Sequence, residues 1–276
     1  MTGASTFGGS YRGGTGEPLV LLHGAAMSWR AWRPLLRELE RHHDVYVPTM
    51  AGHRGGLPLA SGAQASVAAL VDALCDELDE AGIGTAHVAG NSLGGWVALE
   101  LARRGRARSV VALSPAGGWS RAFELQRLLW LFRVGLAMGS TGLTRRMARI
   151  DSLRRLLLWP AMQHGERVPA SELDEMLDDL AGCGILDELL RRAASHGPLG
   201  RLADTPCPVR IAWSEHDHVV PWRWYGIPFR TAVPGAEFVR LPAVGHVPMW
   251  DDPELVSSVI LEVTAWSSSA FRSAAG

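Results

Sequence analysis

The chain alternates between short apolar runs of strand length and longer segments with helical spacing. Leu19-Val20-Leu21-Leu22 is unbroken apolar sequence ending at His23-Gly24, as expected for a strand buried on both faces. Asp44 to Val47 forms a second such run, and Trp32 to Leu39 between them reads as a helix. Val67, Leu70, Val71, Leu74 and Leu78 fall on one helical face, and Gly82 is placed to stop that helix. A strand is expected at Thr85 to Ala89, a helix after Ser92, and strands at Ser109 to Leu113, Pro208 to Trp213 and Ala236 to Leu241. After Pro253, Leu255, Val256, Val259 and Val263 share a face of a last helix. Strands alternating with helices predict an α/β fold with a mostly parallel central sheet and helices on both faces.

The stretch from Gly117 to Ala203 breaks the rhythm. It has no strand pattern but carries Leu128 to Phe132, Leu153 to Trp159, a Ser171-x-x-Asp174 capping signal and Leu186 to Leu190. Crossover helices would explain it, but its length is several times that of an ordinary connection. Residues 117–203 are therefore expected to form a helical cap, inserted between the core-domain segments 1–116 and 204–276. The Ser/Ala-rich tail from Ser267 onward is expected to be disordered.

A length of 276 residues with 47% apolar content fits one large domain or one domain with an insertion. A formal net charge of −1 gives no sign of nucleic acid or an anionic membrane surface as a partner. No apolar run approaches the roughly 20 residues of a membrane span. The Gly-rich start, Met1 to Gly16, lacks a signal-peptide pattern. Cys75, Cys183 and Cys207 are odd in number and widely spaced, which suggests unpaired thiols in a reducing, cytoplasmic setting. The chain has no lysine. That excludes a lysine Schiff base and a phosphate-binding loop of the G-x-x-x-x-G-K type. A homodimer is compatible with these features.

The chemistry centres on Gly90-Asn91-Ser92-Leu93-Gly94, between an apolar run and a helical segment. A serine at the apex of a strand–turn–helix, flanked by glycines, is the arrangement of a strained nucleophile elbow. A serine hydroxyl needs a base within hydrogen-bond reach, and the base needs an orienting acid. Two later loops supply candidates in the required order. Glu215-His216-Asp217-His218 follows one predicted strand, and Gly245-His246 follows the last.

With Leu22-His23-Gly24, these motifs make the chain resemble the α/β-hydrolase superfamily from about Pro18 to Trp266, as a capped serine hydrolase. The resemblance implies the fold of that superfamily, with the cap inserted after the sixth-strand equivalent. It implies Ser92 as nucleophile, Asp217 as orienting acid and His246 as general base. It also implies an oxyanion hole from the backbone N–H groups of Leu93 and of Ala25, with Ala26 as the second choice. The pattern departs from the family at Ser214, where glycine is usual. It departs again in the loop Met50 to Gly56, and in a short segment before Pro18 that leaves little room for the first antiparallel strands.

Several residues admit two readings. Glu215 is a rival to Asp217. His216 and His218 could ligate a metal but lack a third ligand, so loop histidines are the better reading and no metal or cofactor is expected. His23 reads as a structural residue shaping the oxyanion loop. Arg127, Arg133 and Arg145 could clamp an acidic substrate, although a solvated helix face suits them better. Trp119, Trp130, Trp159, Trp222 and Trp224 either line an apolar pocket or pack the cap against the core. Gly24, Met27, Trp29, Trp119 and Trp130 are the substrate-binding candidates. The expected reaction is hydrolysis of a small-molecule acyl substrate, a fairly apolar carboxylic ester or lactone. The alternatives are C–C bond hydrolysis of a diketone-like compound, which Gly90 to Gly95 resembles and Val247 weakens, or acyl transfer or ligand reception on the same fold.

Overall fold

The computed structural model describes residues 5–7, 9–139, 141–202 and 205–274. The chain opens with two short strands, β1 (Ser5–Phe7) and β2 (Ser10–Gly14), followed by β3 (Glu17–Leu22), α1 (Arg33–Leu39) and β4 (His43–Pro48). Next come α2 (Val67–Glu80), β5 (Ala86–Asn91), α3 (Leu93–Arg103) and β6 (Ala107–Leu113). Five helices follow: α4 (Ala122–Gly139), α5 (Gly142–Met147), α6 (Asp151–Leu158), α7 (Ala170–Ala181) and α8 (Leu186–His196). The chain then returns to the sheet with β7 (Val209–Ser214), α9 (Phe229–Ala232), β8 (Glu237–Leu241), α10 (Pro248–Asp251) and α11 (Pro253–Ala274).

The eight strands form one sheet in the order β1-β2-β4-β3-β5-β6-β7-β8. β1 and β2 pair antiparallel, β2 joins β4 antiparallel, and β3 to β8 run parallel. The two leading strands do form, although they span only three and five residues. Successive residues of each central strand enter opposite cores. Val20, Leu22, Val88, Val110 and Ile211 join the α2 and α3 side. Leu19, Leu21, Ala89, Val111 and Ala212 join the α1 and α11 side. This is the period of two that makes a doubly covered strand read as continuous apolar sequence.

α2 ends as its glycine predicts. Gly82 has φ +74°, the Ile83 N–H reaches the Leu78 carbonyl at 2.7 Å, and the Gly82 N–H reaches that of Asp79 at 3.1 Å. This is the Schellman arrangement.

Two local expectations fail. α7 begins at Ala170 with Pro169 as its N-cap, so Ser171 lies inside the first turn and caps nothing. Proline sets the required φ at a helix start without a hydroxyl's help. The disordered tail expected from Ser267 onward is corrected as far as Ala274, where α11 ends, and residues 275 and 276 lie outside the described residues. No glycine or proline interrupts residues 254–274, and serine lowers helix propensity without breaking a helix.

Between β6 and β7 the described residues contain helices only. α4 packs on α7 and α8, and Leu186, Leu189 and Leu190 of α8 enter the same core as α2 and α3.

Candidate active site

The turn between β5 and α3 is strained. Ser92 has φ 55° and ψ −115°, a region that non-glycine residues occupy only when surrounding contacts enforce it. Those contacts are visible. The Ser92 N–H donates to the Leu113 carbonyl at 2.9 Å, while its own carbonyl accepts from Ala116 at 2.9 Å and Trp96 at 3.2 Å. The neighbouring glycines are sterically required. A Cβ at Gly90 would overlap the Gly94 carbonyl oxygen, and one at Gly94 would overlap the Leu22 carbonyl oxygen. Leu93 is the first residue of α3, so its N–H has no partner within the helix and lies at the positive end of the helix dipole.

The loop after β3 packs against this turn, and a Cβ at Gly24 would stand 3.5 Å from that of Ser92. His23 fixes the loop from within the protein. Its Nε2 accepts the Met50 N–H at 2.9 Å, so its proton sits on Nδ1, which donates to the Gly24 carbonyl at 2.7 Å. His23 is fully buried, and desolvation, then the neighbouring His53, hold its pKa well below the ordinary imidazole value. It is a structural member of this loop.

His43, His53 and His87 are also buried, and desolvation is the largest cause of a lowered pKa in each. The native state therefore favours the neutral form of these four imidazoles more than the unfolded chain does, which protonates them below about pH 6.5. In that range the unfolded state binds more protons, so stability is complete above it and declines as pH falls through it. The melting temperature is expected to be clearly lower at pH 5 than at pH 7.5. Equal values would contradict the assignment.

Asp217 and His246 come from the loops after β7 and β8 and are both buried. Asp217 Oδ2 accepts from His246 Nδ1 at 2.8 Å. Its Oδ1 accepts from the backbone N–H groups of Val219 at 3.0 Å and Val220 at 2.7 Å. Glu215 turns elsewhere. It pairs with Arg240 and accepts the Ala243 N–H at 2.9 Å, and that backbone hydrogen bond is the largest cause of its lowered pKa. His218 stacks on Trp159, with ring centroids 4.4 Å apart.

Three polar residues hold these loops together in a bracing role that the sequence did not assign to them. Asn91 Nδ2 donates to the His246 carbonyl at 2.8 Å and the Leu113 carbonyl at 3.2 Å. Asp251 is fully buried and accepts from Gly245 at 2.7 Å, Gln163 at 2.9 Å and His164 at 2.7 Å. It thereby ties the histidine loop to the helical segment. Arg127 of α4 donates to the carbonyls of His218 and of Val219, the latter at 2.8 Å. It braces the acid loop instead of facing solvent or a ligand. Arg145 pairs with Asp174 at 3.2 Å and Asp178 at 2.5 Å, both on α7.

Ser92 and His246 line one cavity of about 300 Å³, together with Gly24, Ala25, Ala26, Met27 and Asn91. The two side chains are not hydrogen-bonded to each other in this structure. The remaining wall comes mainly from the helical segment: Leu128, Leu131, Phe132 and Met138 of α4, Leu157 and Leu158 of α6, and Leu173, Met176, Leu177 and Leu180 of α7. Among the described residues no charged side chain lines it, and besides Ser92, His246 and Asn91 the polar one is Thr144.

Of the five substrate-binding candidates, Gly24 and Met27 line the cavity and the three tryptophans do not. Trp29 is buried against Tyr11 with a centroid separation of 5.4 Å. Trp119 packs edge-on against Trp96 at 5.4 Å. Trp130 faces outward and is 62% exposed. The actual α7 wall is spaced i, i+3, i+4, i+7 between carboxylates, a signal that sequence periodicity does contain.

This fold and elbow define an α/β hydrolase. The chain belongs to the alpha/beta hydrolase family, whose model matches residues 19–259, and it is a hydrolase. It is 38% identical over 205 residues to the epoxide hydrolase EphH of Mycobacterium tuberculosis, covering 71% of this chain and 96% of that protein. A thermophilic esterase from Thermogutta terrifontis superposes with a TM-score of 0.70 at 20% identity, covering 94% of this chain and 93% of the esterase. The 2-hydroxy-6-oxo-6-phenylhexa-2,4-dienoate hydrolase of Rhodococcus sp. strain RHA1 superposes with a TM-score of 0.61 at 20% identity, covering 93% and 94%. The last two likenesses establish the fold alone.

Proposed function

We propose that the protein is a serine hydrolase of carboxylic esters with an apolar, chain-like acyl group. The observation that carries this is Ser92 on a strained elbow, sharing an apolar cavity with a histidine whose Nδ1 is held by a buried carboxylate. Ser92 attacks the ester carbonyl while His246 Nε2 takes its proton. The imidazolium is stabilised by Asp217, and its Nδ1–H keeps the ring in the tautomer that leaves Nε2 free to accept. The oxyanion is received by the N–H groups of Leu93 and Ala25. His246 then protonates the departing alkoxide, and a water activated by the same imidazole releases the acid. Alignment of Ser92 and His246 tightens when substrate fills the cavity, as catalytic hydrogen bonds do on forming the Michaelis complex. Residues 117–203 act as the cap, supplying most of the acyl-binding wall.

The name of the Mycobacterium tuberculosis relative raises epoxide opening as a rival. Attack of a serine oxygen on an epoxide carbon would leave an ether, and water cannot release an ether as it releases an ester. A carboxylate nucleophile avoids this, and residue 92 is serine. None of Tyr11, Tyr46 and Tyr225 lines the cavity to protonate an epoxide oxygen. Hydrolysis of a charged diketone acid is disfavoured for a separate reason. Its carboxylate would enter a cavity with no cationic side chain in its wall among the described residues.

A series of p-nitrophenyl esters tests the acyl-site assignment. kcat/KM is expected to rise about fourfold per added methylene from acetyl toward hexanoyl, the worth of one buried CH₂. It should level off once the chain meets the far wall. A preference for acetyl, or faster turnover of an epoxide or a diketone acid than of any ester, would overturn the reading.

A further inference from the structure

α4 is apolar on both faces. Leu128, Leu131 and Phe132 point into the cavity, yet on the opposite side Phe123 and Trp130 stand in the open. A helix with large apolar side chains on two opposite faces is ordinarily covered on both, and this one is not. The same holds across α5 and α6, where Leu143 is 67% and Leu156 is 68% exposed. Met138 lines the cavity and is 45% exposed, so the patch reaches the cavity mouth. Trp159, half exposed, sits between the lining residues Leu158 and Pro160. A soluble surface seldom concentrates so much apolar area unless something binds there.

Charge identifies the occupant. Of the eight arginines from Gly117 to Trp159, Arg145, Arg154 and Arg155 pair with carboxylates and Arg127 braces the acid loop, whereas Arg133, Arg146 and Arg149 are exposed with no ion pair among the described residues. The near-neutral balance of the whole chain averages this away. A second copy of the same face would bring like charges together, whereas an anionic lipid surface complements both the arginines and the tryptophans. We propose that the outer face of α4–α6 docks on an anionic lipid surface, with the mouth of the cavity turned toward the bilayer. The docking does not depend on the ester-hydrolase reading, because it can be measured without turnover.

The test is sedimentation of the full chain with vesicles of phosphatidylcholine alone or mixed equally with phosphatidylglycerol, at 50 and 500 mM NaCl. The chain is expected to bind the mixed vesicles at low salt, to leave them at high salt, and to ignore pure phosphatidylcholine. Replacing Arg133, Arg146 and Arg149 together by glutamine should weaken binding about a hundredfold, at about fivefold per charge. Trp130→Ser should weaken it about tenfold. These side chains point outward, so hydrolysis of a soluble short-chain ester is expected to stay unchanged and to report intact folding. Absence of binding to mixed vesicles, equal binding to neutral ones, or full binding by the triple variant would overturn the proposal. So would a salt-resistant dimer that Trp130→Ser dissolves.

Discussion

Ser92→Ala is expected to lower ester hydrolysis by a factor of about 10⁴ or more while leaving the melting temperature within a degree or two. The first effect follows because no other described side chain in the cavity offers an activated nucleophile. What survives such a loss is the contribution of binding and the oxyanion donors. The second follows from the local geometry. The backbone at residue 92 is held by hydrogen bonds through its own N–H and carbonyl to Leu113, Ala116 and Trp96, and an alanine keeps every one of them. The strained φ of 55° is equally costly for either side chain. Substrate affinity should change little, because the cavity wall comes mainly from α4, α6 and α7. A variant that kept more than a tenth of wild-type turnover would show that the hydroxyl is not the nucleophile.

Asp217→Asn is expected to lower kcat by about 10⁴. The carboxylate accepts on both oxygens, from His246 Nδ1 on one side and from the Val219 and Val220 N–H groups on the other. An amide has one acceptor. If its oxygen stays with the two backbone donors, its NH₂ faces His246 and selects the tautomer protonated on Nε2. That tautomer cannot take a proton from Ser92. If the amide flips, its NH₂ meets two backbone donors and the acid loop loses its brace. Asp217 lies behind the imidazole and outside the cavity lining, so KM should be nearly constant. Glu215→Gln is the matched control. Glu215 engages Arg240 and Ala243, and turnover within about twofold of wild type is expected. Reversed effects would exchange the roles of the two acids.

The parallel sheet was legible because its strands are buried on both faces and read as unbroken apolar runs. Gly90 and Gly94 were legible for a different reason. A Cβ at either would collide with backbone, so the turn leaves a mark on composition itself. The walls of the cavity were not legible to the same degree. α4 carries large apolar residues on two opposite faces, and its sequence cannot say which of them looks inward. Aromatic identity misled for a related reason. Trp29, Trp119 and Trp130 suit a pocket, a core and a surface equally, and only packing decides among them. The bracing roles of Asn91, Arg127 and Asp251 escaped because their partners are backbone groups, which any residue can present. The contact of Asn91 with the His246 carbonyl spans 155 residues of chain, a distance no local motif can encode.

The measurement closest to the central claim is covalent labelling with a fluorophosphonate followed by peptide mapping. One adduct per chain is expected, on the peptide carrying Ser92, and its formation should be slowed at least a hundredfold by His246→Ala. Labelling of any other serine, or undiminished labelling of Ser92 without the imidazole, would contradict the assignment of a hydroxyl activated by His246.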